Sequence, residues 1–348
     1  MIFKVFPARE LATLYNLLAD RPIVGPVRKA TNKDGEAIFD FQLTSSFSDL
    51  VLDYDQTVHS AKQYFLPHRE DLCTFTVSED GWQKHVDFGA YNQTVFFGLH
   101  PCDINALNKL DKVLMESAYP NPFYGAKRAR MFIVGHSCQP MPSCFCRSMG
   151  TDSAIRGFDL FLTRLDEESY FAEINSPAAH HLLEKINSEP ARASDHKRFR
   201  LQVAAKNRRI SAQVDTTDLT KILDMEFHAD VWQEWGDKCL SCGTCANVCP
   251  TCYCYGVEEE VDLDLAGARK EKLLYSCNLV DFAQVAGGHN FRPESHSRLK
   301  YRYYHKHRGF VEAYEESLCV GCGRCGNACL ADINVPEVIA SVRGEEDA

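Results

Sequence analysis

Eight of the cysteines fall into two copies of one spacing, C-x2-C-x2-C-x3-C. In this pattern three thiolates can wrap one cubane of iron and sulfide while backbone N–H groups point at its sulfides. The fourth cysteine lies too far round to reach the same cubane, so it serves a neighbouring one. The two copies therefore predict two [4Fe–4S] clusters that exchange their fourth ligands. The copies run from Cys239 to Cys249 and from Cys319 to Cys329.

This exchange gives each predicted cluster three ligands from one copy and one from the other. The first set is Cys239, Cys242, Cys245 and Cys329, and the second set is Cys319, Cys322, Cys325 and Cys249. Structural zinc is the main alternative, but zinc sites normally use two separate C-x2-C pairs with no third cysteine in each run. A thioredoxin-like dithiol explains less, because four of the eight cysteines would have no role.

Four more cysteines follow two predicted strands. Thr94–Leu99 has the pattern of a buried strand and leads through Cys102 into a helical stripe, and the strand Met131–Gly135 ends just before Cys138. Sites in open α/β sheets gather at the carboxyl ends of strands, so these cysteines are expected to converge. The predicted group is Cys102, Cys138, Cys144 and Cys146.

This group is a candidate third iron–sulfur site, with Asp103 as a hydrogen-bonding neighbour or a ligand. Two alternatives stay open at this stage. Free cysteines are often buried for packing alone, and zinc is the other option, although the Cys144-x-Cys146 spacing is tighter than the usual zinc knuckle. The roles of Cys252, Cys254 and Cys277 are also open; packing around a cluster is the favoured interpretation.

The composition narrows the class of protein. Sixteen cysteines in 348 residues, without a recognisable secretory signal at the N-terminus, favour metal clusters over disulfides and predict a reducing cytoplasm. A net charge of −10 argues against bulk nucleic-acid binding. The sequence has no run of 18 apolar residues, so no membrane span is expected. Exposed cubanes are sensitive to oxygen, so we expect an anaerobic or microaerobic host.

The order of predicted elements suggests two domains. Strands alternate with helices up to about residue 225, and a hairpin is expected around Asp166–Glu168. We therefore expect an α/β (α+β) N-terminal domain over residues 1–225. Residues 226–348 should form a mainly α-helical, two-cluster ferredoxin-like domain, because about 70 residues separate Cys249 from Cys319 and helical patterns occupy Asp281–Ala286 and Ser295–Lys306.

A basic run interleaved with aromatic residues covers Arg298 to Arg308. Such a run can bind nucleic acid, but the acidic net charge disfavours that role. A docking face, or a positive field that raises the potential of a cluster, is the preferred interpretation.

Four segments taken together resemble one known family. It is the iron–sulfur protein family that includes the iron–sulfur subunit of anaerobic sulfite reductase and the beta subunit of cytoplasmic sulfhydrogenase. The resemblance covers about residues 62 to 330, and one departure is Leu330, where the family usually has proline. The segments are Gly98–Ala106, Cys144–Gly150, Cys249–Cys254 and Ala286–Arg292.

The resemblance implies an electron-transfer subunit, placed between a flavin-containing subunit that oxidises NAD(P)H and another that is catalytic. It also implies two [4Fe–4S] clusters in the second domain, and the cysteines of the first domain match cysteines common to the family. The catalytic partner would be of the sulfite reductase type or of the nickel–iron hydrogenase or sulfur reductase type.

The sequence offers no substrate site of its own. It has no G-x-G-x-x-G after a strand and no P-loop, so flavin and nicotinamide sites are expected on a partner. Two other functions stay open. One is a metal-stabilised assembly subunit with no redox role, and the other is an enzyme site in the first domain, built on an open-coordinate cluster near Cys138.

Overall fold

The structure is a computed structural model that describes residues 2–33, 35–88 and 93–345. Its main layer is an eight-stranded sheet with the strand order β10-β1-β9-β8-β7-β6-β2-β3. The four central strands β2, β6, β7 and β8 are parallel, and the outer pairs are antiparallel. The strands of this sheet are β1 (Ile2–Pro7), β2 (Ile23–Thr31), β3 (Ala37–Thr44), β6 (Thr94–Leu99), β7 (Met131–His136), β8 (Leu160–Arg164), β9 (Ser169–Ile174) and β10 (Glu189–Pro190).

A second sheet of four strands draws on both halves of the chain. Its order is β11-β12-β4-β5, and all its pairs are antiparallel. The strands are β4 (Arg69–Ser78), β5 (Gly81–His85), β11 (Tyr255–Val261) and β12 (Gly267–Leu274). Between β4 and β12 the buried carboxylate of Glu70 pairs with Lys127 and Lys272. The predicted boundary near residue 225 therefore lies between segments that share one sheet.

The expectation of a mainly α-helical second half is not confirmed, because β11 and β12 form a hairpin directly after the first cysteine motif. The hairpin is rich in Glu, Lys and Arg, residues that strands generally disfavour. Pairs across the strands, such as Glu259 with Lys270 and Glu260 with Arg269, contribute to its stability, and β12 is also paired with β4. These pairs are visible only when the two strands are already aligned.

Thirteen α-helices occupy the rest of the described chain, and four short 3-10 or π segments accompany them. Proline stands in the first turn of α3, α4, α5 and α13, where a missing N–H costs nothing. The helices are α1 (Glu10–Asn16), α2 (Lys62–Phe65), α3 (Pro101–Leu114), α4 (Pro122–Arg128), α5 (Pro177–Glu184), α6 (Ala193–Arg209), α7 (Leu219–Met225), α8 (Val231–Lys238), α9 (Thr244–Asn247), α10 (Ser295–Tyr304), α11 (Phe310–Tyr314), α12 (Arg324–Asn327) and α13 (Val335–Arg343).

Apolar side chains pack on both faces of the large sheet. Along β6, Val95 and Phe97 belong to one core cluster and Phe96 belongs to the other, as the two-residue period of a strand requires. Leu99 joins the cluster of Phe96 because the strand register shifts between Phe97 and Leu99. A third core cluster lies under the cysteine motifs and contains Trp232. Within the described residues no helix is both long and apolar enough to cross a membrane.

Candidate metal centres

The two cysteine motifs fold in the same way. In each copy an irregular loop leads into a one-turn helix, α9 in the first and α12 in the second. The backbone is left-handed at Ser241 and Gly243, and equally at Gly321 and Gly323, with φ between 52° and 78°. Both motifs also contain a hydrogen bond from a backbone N–H to the sulfur of their first cysteine. The Ser241 N–H donates to Cys239 Sγ at 3.5 Å, and the Gly321 N–H donates to Cys319 Sγ at 3.4 Å.

The motifs face each other through α9 and α12, which are in contact. Cys249 reaches from the first motif to the thiols of the second. Burial raises the pKa of Cys319 to about 11, and the charges of Cys325 and Cys249 contribute to that rise. Burial also raises the pKa of Cys322, and Cys249 adds to that effect. The structure thus brings Cys249 to the thiols of the second motif, as the exchange of ligands requires.

The first motif keeps its own thiols together. Burial raises the pKa of Cys245 to about 11, and Cys239 is among the neighbouring thiols that contribute. The amide of Asn278 lies 3.4 Å from the Cys245 sulfur and 4.0 Å from that of Cys239. Cys329 packs with Cys239 against the same core cluster. Its assignment as the fourth ligand of the first set stays a prediction.

Three buried cations follow one face of the helix that covers the motifs. Arg298, Arg302 and Lys306 are four residues apart, and each is no more than 6% exposed. Among the described residues none of the three has a carboxylate partner. Arg302 donates to the Cys245 carbonyl at 3.3 Å, and Lys306 donates to Thr251 Oγ1 at 2.9 Å. These three residues are therefore not an exposed docking face, and their charges lie beside the motif residues.

A fourth buried cation comes from the first half of the chain. Lys62 in α2 is 6% exposed and donates to the carbonyls of Ala246 and Cys252, at 3.3 and 3.0 Å. It faces the thiols at and after the end of the first motif, which form two interacting pairs. Cys249 interacts with Cys252, and Cys254 interacts with Cys277. These extra thiols lie directly beside the predicted ligands, in agreement with a place in their packing shell.

The four cysteines after the strands also converge. Because β6 and β7 are parallel neighbours, their carboxyl ends bring Cys102 and Cys138 to one edge of the sheet. Burial raises the pKa of Cys138 to about 11 and that of Cys146 to about 12, and the charge of Cys144 contributes to both. Burial likewise raises the pKa of Cys102, with a contribution from Cys138. Each of the four thiols therefore lies close enough to interact with at least one other of the group.

This group adjoins the second motif. The Cys144 thiol donates to the Cys322 carbonyl at 3.7 Å, and Cys102 packs against the Cys322 side chain. Two backbone carbonyls of the motif accept further hydrogen bonds. The Phe145 N–H donates to the Gly321 carbonyl at 2.8 Å, and Thr151 Oγ1 donates to the Val320 carbonyl at 2.6 Å. The loop that carries Cys144 and Cys146 is thus part of the wall of the second motif.

Glycine is required at this junction. A Cβ on Gly321 would lie 2.6 Å from the Cys146 nitrogen, and one on Gly323 would lie 2.7 Å from the Ser143 carbonyl oxygen. Both contacts are with backbone atoms, which cannot move aside as a flexible side chain would. The glycines also have positive φ, so both the space and the backbone conformation exclude a side chain.

The comparisons with known proteins agree with this geometry. Residues 238–333 match the family described as a 4Fe-4S dicluster domain. Over 323 residues the chain is 34% identical to sulfhydrogenase 2 subunit beta of Pyrococcus furiosus, and the alignment covers 92% of each protein. The chain belongs to the iron–sulfur subunit family that includes sulfhydrogenase subunit beta. No solved structure matches the chain.

The donor set fits the iron–sulfur clusters of this family. A tetrahedral zinc site would gather sulfur atoms to about 3.8 Å from one another, given Zn–S bonds of about 2.3 Å. In the part of the chain that is described, no three cysteines gather within 4.8 Å; the only such trio of potential ligands is His180, His181 and Glu184. Buried cations without carboxylates also need an anion nearby, and iron–sulfur clusters with thiolate ligands supply one.

Two important residues were not singled out from the sequence. Arg324 forms an ion pair with Asp103 at 2.9 Å in which both side chains are 1% exposed. Asp103 is thus the partner of an arginine in this structure, and the Cys102 thiol donates to its carboxylate at 4.0 Å. Its role as a neighbour or a ligand of the third site stays a prediction. The available signal for Arg324 was the difference between the motifs, because the first copy has Thr244 at the same place. Lys62, the second missed residue, gave no signal, since it stands alone beside a segment with a loop-like pattern.

Proposed function

We propose that this chain is the electron-transfer subunit of a multisubunit oxidoreductase. The observation that supports this most directly is the continuity of its thiols. The first motif contacts the second through α9 and α12, and the second motif contacts the strand-end cysteines through Cys322. A row of adjoining iron–sulfur clusters supplies one-electron transfer, and a relay needs this arrangement.

The proposed ligands form three sets. Cys239, Cys242, Cys245 and Cys329 hold the first cluster, and Cys319, Cys322, Cys325 and Cys249 hold the second. Cys102, Cys138, Cys144 and Cys146 hold a third. Within this proposal residues 1–225 carry the third site and residues 226–348 carry the other two. Cys252, Cys254 and Cys277 pack around the ligands.

The residues around these ligand sets adjust the reduction potentials of the proposed clusters. Arg302 and Lys306 place positive charge beside the thiols, which favours the more negative, reduced form of a cluster. Backbone N–H groups such as that of Ser241 donate hydrogen bonds to the ligand sulfur, and these also favour the reduced form of the cluster. Burial of Cys249, Cys322 and Cys146 limits the contact of the second and third sets with water.

One end of the row reaches the surface. Cys242 is the only exposed cysteine in the described chain. Two exposed leucines are close to it: Leu240 belongs to the same motif, and Leu279 lies beside Gly243 of that motif. We propose that a redox partner docks here, because electron transfer needs a short distance to a cluster edge. The proposed partners are one subunit that binds flavin and NAD(P)H, together with a second, catalytic subunit.

The relative's name describes a subunit of a sulfhydrogenase. By analogy we propose that this chain works in the cytoplasm of an anaerobic host beside a catalytic subunit of the nickel–iron hydrogenase or sulfur reductase type, or of the sulfite reductase type. Genes adjacent to the one encoding this chain would distinguish these possibilities, since each catalytic subunit has its own cofactor.

The relay is tested with Cys245→Ser in the assembled complex. NAD(P)H should still reduce the flavin of the partner, while electrons no longer reach the catalytic subunit. The flavin reduction serves as the internal control, and it is followed by its absorbance. Normal transfer to the catalytic subunit in this variant would contradict the relay.

Metal analysis separates the relay from the assembly role. Protein purified without oxygen should contain about twelve iron and twelve sulfide per chain if all three sets hold cubanes, and about eight of each if only the motif cysteines do. A colourless protein with zinc and no acid-labile sulfide would instead support a metal-stabilised assembly subunit.

A further inference from the structure

A small polar cavity lies at the carboxyl end of the parallel strands, beside Cys138. Its volume is about 150 Å³. Pockets for cofactors and drug-sized molecules run from about 300 to 1,000 Å³, whereas one water molecule takes roughly 30 Å³ in the liquid. The cavity therefore has room for a small ion and its hydration water. It is too small for a nucleotide or a flavin.

Three cations line this cavity from two different elements. Arg164 stands at the end of β8, and Lys206 and Arg209 stand in the last turn of α6. None of the three has a carboxylate within ion-pair distance in the described chain. Asp53 is the one carboxylate among the described residues of the lining. The lining thus has an excess of positive charge that no described protein group neutralises by direct contact.

Each of the three cations donates one hydrogen bond to a protein oxygen, and its other N–H donors are free among the described residues. Arg164 Nε donates to the Asp166 carbonyl at 3.0 Å, Lys206 donates to the Asp152 carbonyl, and Arg209 donates to the Gln139 side chain. A guanidinium has five N–H donors and an ammonium has three. The remaining donors are available to an anion, and guanidinium groups bind oxyanions through paired hydrogen bonds.

A buried histidine supplies an independent indication of a ligand. His136, the last residue of β7, lines the cavity and is only 6% exposed. Neither of its ring nitrogens has a hydrogen-bond partner among the residues that the structure describes. Buried polar atoms are almost always paired, so an unpaired ring next to a cavity points to a group that the cavity receives.

The ordinary explanation accounts for only part of this arrangement. Cations in the last turn of a helix are favoured by its dipole, which explains Lys206 and Arg209. Lys206 also faces the thiols of Cys138 and Cys146. Arg164, at the end of a strand, is exposed, so water can solvate its charge. None of these reasons applies to the buried, unpaired nitrogens of His136.

We propose that this cavity binds a small inorganic oxyanion, of the size of sulfite, sulfate or phosphate, next to the third cysteine group. The two arginines and Lys206 bind its oxygens. The carboxyl ends of parallel strands are the usual place for ligands in such sheets. The proposal goes beyond the electron relay, and the cavity adjoins the third cysteine group because Cys138 lines both.

Calorimetric titration of the full chain, purified without oxygen, tests the site. Sodium sulfite, sulfate and phosphate are added at millimolar concentrations, with chloride at equal ionic strength as the blank. We expect saturable binding of at least one oxyanion. We expect about tenfold weaker binding in Arg209→Gln and in Arg164→Gln. The matched control is Arg208→Gln, which removes the same charge from the same helix at a position that does not line the cavity, and this variant should bind like the unmodified protein.

The three anions also identify the class of ligand. Binding of sulfite alone would assign the site to a trigonal sulfur oxyanion, and binding of all three would assign it to oxyanions in general. No binding of any of them would overturn the proposal. Binding that is unaffected in both arginine variants, or that falls equally in Arg208→Gln, would overturn it too, because the anion would then bind elsewhere or through net charge only.

Discussion

The cysteine motifs and the strand-end cysteines gather similar sets of thiols in different ways. In the motifs the chain itself wraps the ligands, with left-handed residues at fixed positions and the same N–H···S bond in both copies. In the strand-end group the thiols are spread from Cys102 to Cys146, and the parallel pairing of β6 with β7 brings Cys102 and Cys138 to one edge of the sheet. The first arrangement depends on local backbone conformation, and the second depends on a folded sheet.

The two regions also differ in their surroundings. The motifs lie under a helix with three buried cations and reach the surface at Cys242. The strand-end group is linked to the second motif through Phe145, Thr151 and the Asp103–Arg324 pair. We infer that the motif region is the tuned and exposed part of the relay, while the strand-end region is its interior part.

The largest expected effect separates the two groups by cluster content. Cys144→Ser should remove about four iron per chain and leave the motif clusters intact, whereas Cys245→Ser should remove a motif cluster and leave the third. Iron, sulfide and EPR spectra of the reduced proteins measure this. Cys73→Ser is the matched control, because Cys73 is buried in β4, away from all three sets.

If the iron content of Cys144→Ser equals that of the unmodified protein, the strand-end group is a set of structural thiols. The protein would then have only one kind of cluster site, the cysteine motifs, and the prediction for the motif clusters would be unaffected.

The second prediction concerns the link between the regions. Arg324→Leu leaves the Asp103 carboxylate buried at 1% exposure without its partner, so we expect a loss of about 3–5 kcal/mol in the free energy of unfolding. Denaturant titration under anaerobic conditions measures it. The control is Arg192→Ala, which breaks an exposed pair with Glu189 and should change stability by at most about 1 kcal/mol. Equal, small effects for both variants would show that the link is not important for stability.

The third prediction concerns the field at the motif clusters. Lys306→Met removes a buried charge and should lower the reduction potential of the nearest cluster, because the cation stabilises the reduced form. At an effective dielectric constant of about 20, one charge about 8 Å away is equivalent to ~2 kcal/mol, on the order of 100 mV for one electron. Redox titration followed by EPR measures the shift. Lys300→Met is the control, since Lys300 points to Phe227 instead. A rise in potential would contradict the sign of this effect.

The smallest expected effect is a difference in sensitivity to oxygen. The cluster at Cys242 should be lost a few times faster in air than the cluster at the strand-end group, because Cys242 is exposed and Cys146 is buried. The loss of each EPR signal with time gives the two rates. Equal rates would indicate that oxygen reaches both sites through the same opening.

Much of the site was predictable because its signals are local. The motif spacing predicts the cubane ligands, and the strand–turn–helix pattern around Cys102 predicts where the second group gathers. The hairpin Tyr255–Leu274 was not predicted, since its Glu, Lys and Arg residues are accommodated in strands by partners on neighbouring strands, β11 and β4 among them. The shared second sheet was missed for the same reason, because β4 and β12 are about 200 residues apart.

The sequence by itself determined the chemistry of this protein. Cysteine spacing, cysteine count and net charge are sufficient to predict iron–sulfur clusters and to disfavour nucleic acid. Only the tertiary structure decided which groups surround the clusters. Lys62 lies beside Cys252, Arg324 beside Asp103, and Arg164 beside Lys206, although each pair is separated by 42 to 221 residues. A charge stabilises or tunes its surroundings through distance in space, which spacing along the chain does not contain.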